Sequence, residues 1–160
     1  MLVSNSSTTI LIAKATLLSK FLDIGKVAIT SVVYNEITQK ESFENLAIKR
    51  EIERGRIKVE SINAKGYLSI LKHFKIDEGE ASAFALCTSR KYRAVLTDDK
   101  ELIKLCKIEG VPFLSAMAIV IMLFKKKVVS KRVALEKMEK LQGYGRYSID
   151  VYNYFKSVVK

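Results

Sequence analysis

The sequence predicts an α/β fold: a three-layer α/β/α sandwich around a central, mostly parallel sheet, with further helices at the C-terminal end. Two observations predict it. Short apolar segments typical of strands alternate with longer helical segments over residues 1–115, and residues 116–160 show helical patterns alone. The length of 160 residues, the 49% hydrophobic content and the single Pro fit one compact domain, residues 1–160, without a linker.

Each predicted strand is short, apolar and followed by a helix signal. Strands are expected at residues 1–4, 27–30, 57–61, 94–97 and 111–114. Because helices separate all of them, parallel pairing with helices on both faces of the sheet is expected.

The helices between and after the strands are predicted from amphipathic spacing and from capping residues. Ser6 or Ser7 can cap a first helix that runs towards Leu22, Ser31 can cap the second, and Gly55 ends the third. Helices are expected over residues 6–22, 31–36, 43–54, 64–74, 77–86, 100–108, 116–124 and 130–141, and from residue 148 onward.

The chain is strongly basic. Its formal net charge is +11, from 28 Lys and Arg against 17 Asp and Glu. Such a surplus attracts polyanions, although it also fits the solvated surface of a lysine-rich protein. The charge therefore indicates a polyanion without saying which one. The basic residues recur at positions 49–58, 90–93 and 125–132.

Several other classes are excluded. Cys87 and Cys106 lie in apolar surroundings without C-x-x-C spacing, so we expect reduced, buried thiols in a cytoplasmic protein and no zinc site. The start of the chain lacks a basic leader, and the run 116–124 is too short to cross a bilayer, so neither a signal peptide nor a membrane span is expected. His73 is the only histidine and is expected on a helix surface, and no G-x-S-x-G or P-loop motif occurs.

Acidic and amide side chains follow the predicted strands. Asn5 and the pair Asp98-Asp99 come directly after strands, Glu36 falls in the second turn of a helix that follows a strand, and Glu80 lies in the first turn of another helix. Since ligands of parallel sheets sit at the carboxyl ends of the strands, we expect these side chains to converge on one pocket. Oxygen donors of this kind are those that hard divalent cations prefer.

Each acid also has a simpler explanation. Glu36 fits an exposed helix acid, and Glu80 fits an acid that complements the helix dipole. Asp98 and Asp99 fit an N-cap pair, in which one residue caps and the other faces the pocket; Asp99 is favoured for the pocket. Asp77 and Glu78 are expected to cap a helix, and Ser7 and Ser115 either to cap helices or to neighbour the pocket.

Four short motifs stand in order on the predicted elements. They are Val3-Ser4-Asn5-Ser6-Ser7 followed by Ala13-Lys14, Val33-Tyr34-Asn35-Glu36, Gly79-Glu80-Ala81, and Leu96-Thr97-Asp98-Asp99-Lys100. Together they resemble the PIN-domain family over nearly the whole chain. More narrowly, the chain resembles the archaeal and bacterial branch related to VapC-type toxins, which shares the Gly-Glu-Ala helix start, the Asp-Asp-Lys strand end and a tail of two further helices.

The resemblance implies an acidic pocket that binds Mg²⁺ or Mn²⁺ and hydrolyses RNA phosphodiester bonds. Its catalytic set would be Glu36, Glu80, Asp98 and Asp99, and its metal ligands Asn5, Glu80 and Asp99. The family's toxins also imply a small antitoxin that covers the pocket and a homodimer formed through apolar helix faces. The expected partners are therefore RNA, an antitoxin protein and a second copy of the chain, with no membrane.

Asn5 departs from the family pattern, which usually has its first Asp at this place. An amide oxygen can contact a cation but brings no charge, so we expect weaker Mg²⁺ binding. Three histories fit: a natural variant that still cuts RNA, a catalytically silent domain that binds RNA or a protein, and a deliberately inactivated chain.

The glycine-rich stretch near the C terminus allows two interpretations. Residues 143–147, with the sequence Gly-Tyr-Gly-Arg-Tyr, could stack nucleic-acid bases on an aromatic and basic surface. Two glycines beside aromatic residues equally fit a packed turn.

Overall fold

A computed structural model describes residues 1–144 and 147–160, and within these residues five strands form one parallel sheet. The strand order is β3-β2-β1-β4-β5. The sheet confirms the predicted α/β class, and every pairing within it is parallel. The strands are β1 (Leu2–Ser4), β2 (Val27–Thr30), β3 (Ile57–Glu60), β4 (Ala94–Leu96) and β5 (Phe113–Leu114).

Helices connect the strands and follow the last one. The helices of the α/β part are α1 (Ser6–Lys14), α2 (Leu18–Ile24), α3 (Ser31–Gln39), α4 (Phe43–Glu53), α5 (Leu68–His73), α6 (Glu78–Arg90) and α7 (Lys100–Glu109). Those of the C-terminal part are α8 (Ala116–Lys125), α9 (Lys131–Gly143) and α10 (Ile149–Val159). Of the glycine-rich stretch discussed above, Gly145 and Arg146 lie outside the described residues, so its stacking surface stays a prediction.

Successive strand residues point to opposite faces of the sheet, and two cores result. Val3, Ala28 and Val95 face a core shared with α6 and α7. Leu2 and Ile29 face the larger core, which α1 to α4 and α8 to α10 complete. The strands are thus covered on both faces, and a three-layer arrangement follows.

Two predicted helices are wrong as single elements. The helix expected at residues 6–22 breaks because Thr16 adopts a left-handed φ of 58°, where Lys137 Nζ donates to its Oγ1 at 2.7 Å. The helix expected at residues 64–74 is a 3₁₀ turn, Ala64–Gly66, followed by the short α5. Asn63 caps that turn by accepting from the backbone N–H of Lys65 at 3.0 Å.

Buried thiols and the exposed histidine follow the sequence prediction. Cys87 and Cys106 are free and buried, and burial together with the neighbouring Cys87 raises the pKa of Cys106 to about 12. His73 is exposed at the end of α5, where its Nδ1 lies 2.8 Å from the Ser69 carbonyl oxygen. Among the described residues, no helix combines the length and apolarity that a bilayer crossing requires.

Candidate active site at the carboxyl edge of the sheet

The candidate site lies where the central strands end. Asn5 follows β1, α3 with Glu36 follows β2 directly, and Asp98-Asp99 follow β4. The first turn of α6, with Glu80, comes to the same edge. Because neighbouring parallel strands end side by side, residues distant in sequence meet here.

Asn5 is the N-cap of α1, a role the sequence analysis gave wrongly to Ser6 or Ser7. Its side chain is 2% exposed, and its Oδ1 accepts from the backbone N–H of Thr8 at 3.0 Å. Its Nδ2 donates to Thr97 Oγ1 at 3.1 Å. The amide is therefore held at both ends, by the helix that it starts and by the end of β4.

Thr97 connects Asn5 to Asp99. The hydroxyl oxygen of Thr97 also accepts from the backbone N–H of Asp99 at 3.0 Å. Asp99 in turn caps α7, since its Oδ1 accepts from the backbone N–H of Leu102 at 2.8 Å. This cap leaves the second carboxylate oxygen of Asp99 for other contacts.

Glu36 lies between α1 and the start of α6. Ser6 Oγ donates to Glu36 Oε2 at 2.6 Å. On the other side the carboxylate rests against Gly79, where an added Cβ would stand 2.8 Å from Glu36 Cδ. Only a glycine leaves room for a carboxylate this close to the helix start. Burial, with the charges of Asp77 and Glu78, raises the pKa of Glu36 although hydrogen bonds from Ser6 and Gly79 oppose the shift.

Glu80 closes a capping box with Asp77. The backbone N–H of Asp77 donates to Glu80 Oε2 at 3.0 Å, and the backbone N–H of Glu80 donates to Asp77 Oδ1 at 2.7 Å. Burial raises the pKa of Glu80 to about 7, and the negative charges of Asp77, Asp99 and Glu36 contribute to the rise. The predicted acids of three motifs are thus electrostatic neighbours.

Asp98 accepts hydrogen bonds from α1 and from the C-terminal part of the chain. It accepts from Thr8 Oγ1 at 2.7 Å and from the backbone N–H of Ala116 at 3.2 Å. The hydroxyl of Tyr147 donates to it as well. Of the two adjacent aspartates, Asp99 therefore caps a helix and also lies near Glu80, while Asp98 joins the α/β core to the tail.

The remaining predicted neighbours have capping or structural contacts. Ser7 Oγ donates to Asn5 Oδ1 at 3.5 Å, and Ser115 caps α8 by accepting from the backbone N–H of Ala118 at 3.2 Å. Glu78, expected as a capping group, instead accepts from the hydroxyl of Tyr67 at 2.8 Å. The N-cap of α3 is Thr30 rather than Ser31.

Sequence reasoning missed Ser6, Thr97 and Tyr147 as contacts of the acids. For Ser6 and Thr97 a signal was present, because both hydroxyls stand next to candidate site positions at strand ends and can donate or accept hydrogen bonds. Tyr147 carries no such signal, since its partner Asp98 lies 49 positions away.

The donor set fits a hard divalent cation in its chemistry. Across residues 1–144 and 147–160, no three His, Cys, Asp or Glu side chains form a group that could hold a metal ion. Mg²⁺, however, usually binds through one or two carboxylates, water and the phosphate oxygens of a substrate. Glu80 and Asp99, with Glu36 beside them, could supply those carboxylates.

Acids thus gather at the carboxyl edge of a parallel α/β/α sandwich, the edge where such sheets bind their ligands. A family model, DUF3368, described as a PIN domain, matches residues 1–160. The chain therefore belongs to the PIN-domain family, as its motifs predicted. No curated protein matches the chain.

Proposed function

We propose that the protein is a metal-dependent ribonuclease of the PIN type, which hydrolyses RNA phosphodiester bonds at the carboxyl edge of its sheet. The observation that carries the proposal is a pair of hydrogen-bonded connections that bring together residues far apart in sequence. Ser6 holds Glu36 against Gly79, and Asn5 is joined to Asp99 through Thr97. Residues from all four motifs thus support one small acidic region.

Each acid has a separate task in this proposal. Glu80 and Asp99 would bind Mg²⁺ or Mn²⁺, with the Asn5 amide beside them. The bound ion supplies charge neutralisation at the phosphate and a lower pKa for an attacking water. Glu36, held by the Ser6 hydroxyl, places a further carboxylate beside the proposed metal ligands. Asp98 fixes the edge to the C-terminal helices and acts through position.

RNA as the substrate is supported by charge. The surplus of 28 basic over 17 acidic residues favours binding of a polyanion. The acidic region is a small negative area within this otherwise basic protein. A divalent ion bound in the acidic region would let a phosphate approach carboxylates that otherwise repel it.

The resemblance to VapC-type toxins supports a role as the toxin-like component of a toxin-antitoxin pair in the cytoplasm. A small antitoxin protein would then cover the acidic edge. Exposed apolar side chains on two helices offer surfaces for such a protein or for a second copy. They are Phe43 (82% exposed) and Leu46 on α4, and Ile149 and Tyr154 on α10.

A second function is favoured by the state of Asn5. Its amide brings no charge and already makes a capping bond and a bond to Thr97, so it contributes little to a cation. A catalytically silent domain that binds RNA or a protein partner would need no metal ligand at this position, and the structural contacts of Asn5 would suffice. Such a domain would bind RNA with steep salt dependence and without cleavage.

The experiment that separates the two functions is cleavage of end-labelled single-stranded RNA in Mn²⁺, Mg²⁺ or EDTA. The parent should cut only with metal, and Glu80→Gln should slow cutting about 100-fold or more. Glu139→Gln, at an exposed site on α9, is the matched charge control and should cut like the parent. RNA binding without any metal-dependent cleavage would establish the silent function instead.

A further inference from the structure

The edge of the sheet where the strands begin carries a trough that the proposed catalysis does not use. One cleft of about 530 Å³ lies beside Ala94, Phe113 and the end of α8. A second cleft of about 470 Å³ shares Met1, Gly25 and Lys26 with the first and extends to the start of β3. We call the two together the amino-edge trough.

The charge of the amino-edge trough has one sign. Among the described residues that line the two clefts there are five Lys or Arg and no Asp or Glu. Two of the five, Arg56 and Lys58, form ion pairs with acids outside the trough. Within the described part of the chain, Lys26, Arg93 and Lys126 form no ion pair, and all three are exposed. Three uncompensated cations therefore face the trough.

The length and the apolar lining of the trough favour a single-stranded nucleic acid over a duplex. The trough reaches from β5 to β3, and four strand spacings of about 4.8 Å make this roughly 19 Å, which is longer than one nucleotide. Leu2, Phe113 and Met122 make its lining largely apolar. Unpaired bases can lie on such a lining, whereas the bases of a duplex are turned inward and stacked.

We infer that the amino-edge trough is a second RNA site, which binds a single strand with phosphates at Lys26, Arg93 and Lys126 and with bases on the apolar lining. The site lies at the opposite end of the strands from Asp99 and takes no part in bond cleavage. The inference rests on the proposed function only in naming RNA as the polyanion. An RNA long enough to span the molecule would bind at both edges.

The test measures RNA binding in EDTA, so that cleavage is not required. The variant Lys26→Gln/Arg93→Gln/Lys126→Gln is compared with Lys20→Gln/Lys40→Gln/Lys140→Gln, which removes the same charge from exposed sites outside both clefts. Fluorescence anisotropy with a labelled 20-nucleotide single strand is recorded at several salt concentrations. Circular dichroism checks that both variants fold, which their exposed positions favour.

The trough variant should bind the strand at least about tenfold more weakly than the control variant. Its log–log salt slope should fall by about 2, because each lost phosphate contact to a single strand contributes about 0.7. Equal affinities and slopes in the two variants would overturn the inference. The inference would also be overturned if the trough variant bound RNA as well as the control variant but no longer bound anionic lipid vesicles. Absence of cleavage would contradict the proposed function and leave this result unaffected.

Discussion

The carboxylate of Glu36 rests against the backbone of Gly79, with no room for a side chain between them. A Cβ at residue 79 would stand 2.8 Å from Glu36 Cδ and 3.0 Å from Oε2. The second and third sequence motifs are therefore complementary in shape. The glycine that precedes Glu80 in the helix start is a requirement of the acidic region, in addition to any effect on helix α6.

Gly79→Ala should displace Glu36 and slow metal-dependent RNA cleavage about tenfold or more. The overpacking should cost roughly 1–3 kcal/mol of unfolding free energy, which better helix propensity offsets only in part. Gly143→Ala is the control, because a Cβ there meets nothing within 4 Å. Urea unfolding and cleavage rates measure both effects. A Gly79→Ala protein as stable and active as the parent would show that Glu36 has space to move at no cost.

Glu80 should make the protein less stable as pH rises through the weakly acidic range. Its pKa is about 7 in the folded protein against 4.5 for an ordinary Glu, so the folded state binds more protons between these values. Its contribution is fully present below about pH 4.5 and is lost as pH rises to about 7. Urea unfolding in EDTA at pH 5 and pH 7.5 should show a larger fall for the parent than for Glu80→Gln. Equal falls would remove Glu80 as the cause.

Asn5→Asp should tighten Mn²⁺ binding about tenfold or more, because it adds a negative charge beside Asp99. The fold should tolerate the change. Asp caps helices as well as Asn does, and the Thr97 hydroxyl can turn its proton to the new carboxylate. Isothermal titration of Mn²⁺ measures the effect. Asn5→Ala, which loses the cap at a cost of about 1–2 kcal/mol, should gain no affinity. An unchanged affinity in Asn5→Asp would place residue 5 outside the metal site.

The two adjacent aspartates should respond differently to the same substitution. Asp99→Asn keeps an N-cap and removes a charge, so stability should change by less than about 0.5 kcal/mol while cleavage falls about 100-fold. Asp98→Asn turns an amide towards three donors, which should cost roughly 1–3 kcal/mol. Thermal unfolding and cleavage rates separate the two. If Asp98→Asn were stable but inactive, Asp98 rather than Asp99 would be the residue required for cleavage.

Much of the acidic edge was predictable, because strand ends are local signals. The positions of Asn5 and Asp98-Asp99 followed from apolar runs that stop there, and parallel pairing then brings the ends together. Asn5 as a cap was predictable too, since Asn is among the preferred N-cap residues.

What was not predictable depends on contacts between distant residues. The hydrogen bonds that distinguish Asp98 from Asp99 come from distant residues, Thr8, Ala116 and Tyr147. The break after α1 is held by Lys137, 121 positions beyond Thr16. The fit of Glu36 to Gly79 requires the relative position of α3 and α6. A local pattern carries none of this information.

The most direct test of the acidic edge as a metal-dependent nuclease site is a cleavage cycle with Asn5→Asp and Glu80→Gln, alone and together. Rates are measured on one labelled single-stranded RNA at a fixed, subsaturating Mn²⁺ concentration. The predicted result is faster cleavage by Asn5→Asp than by the parent, and a loss of about 100-fold or more wherever Glu80→Gln is present. Cleavage that survives Glu80→Gln, or no cleavage by either the parent or Asn5→Asp, would contradict it.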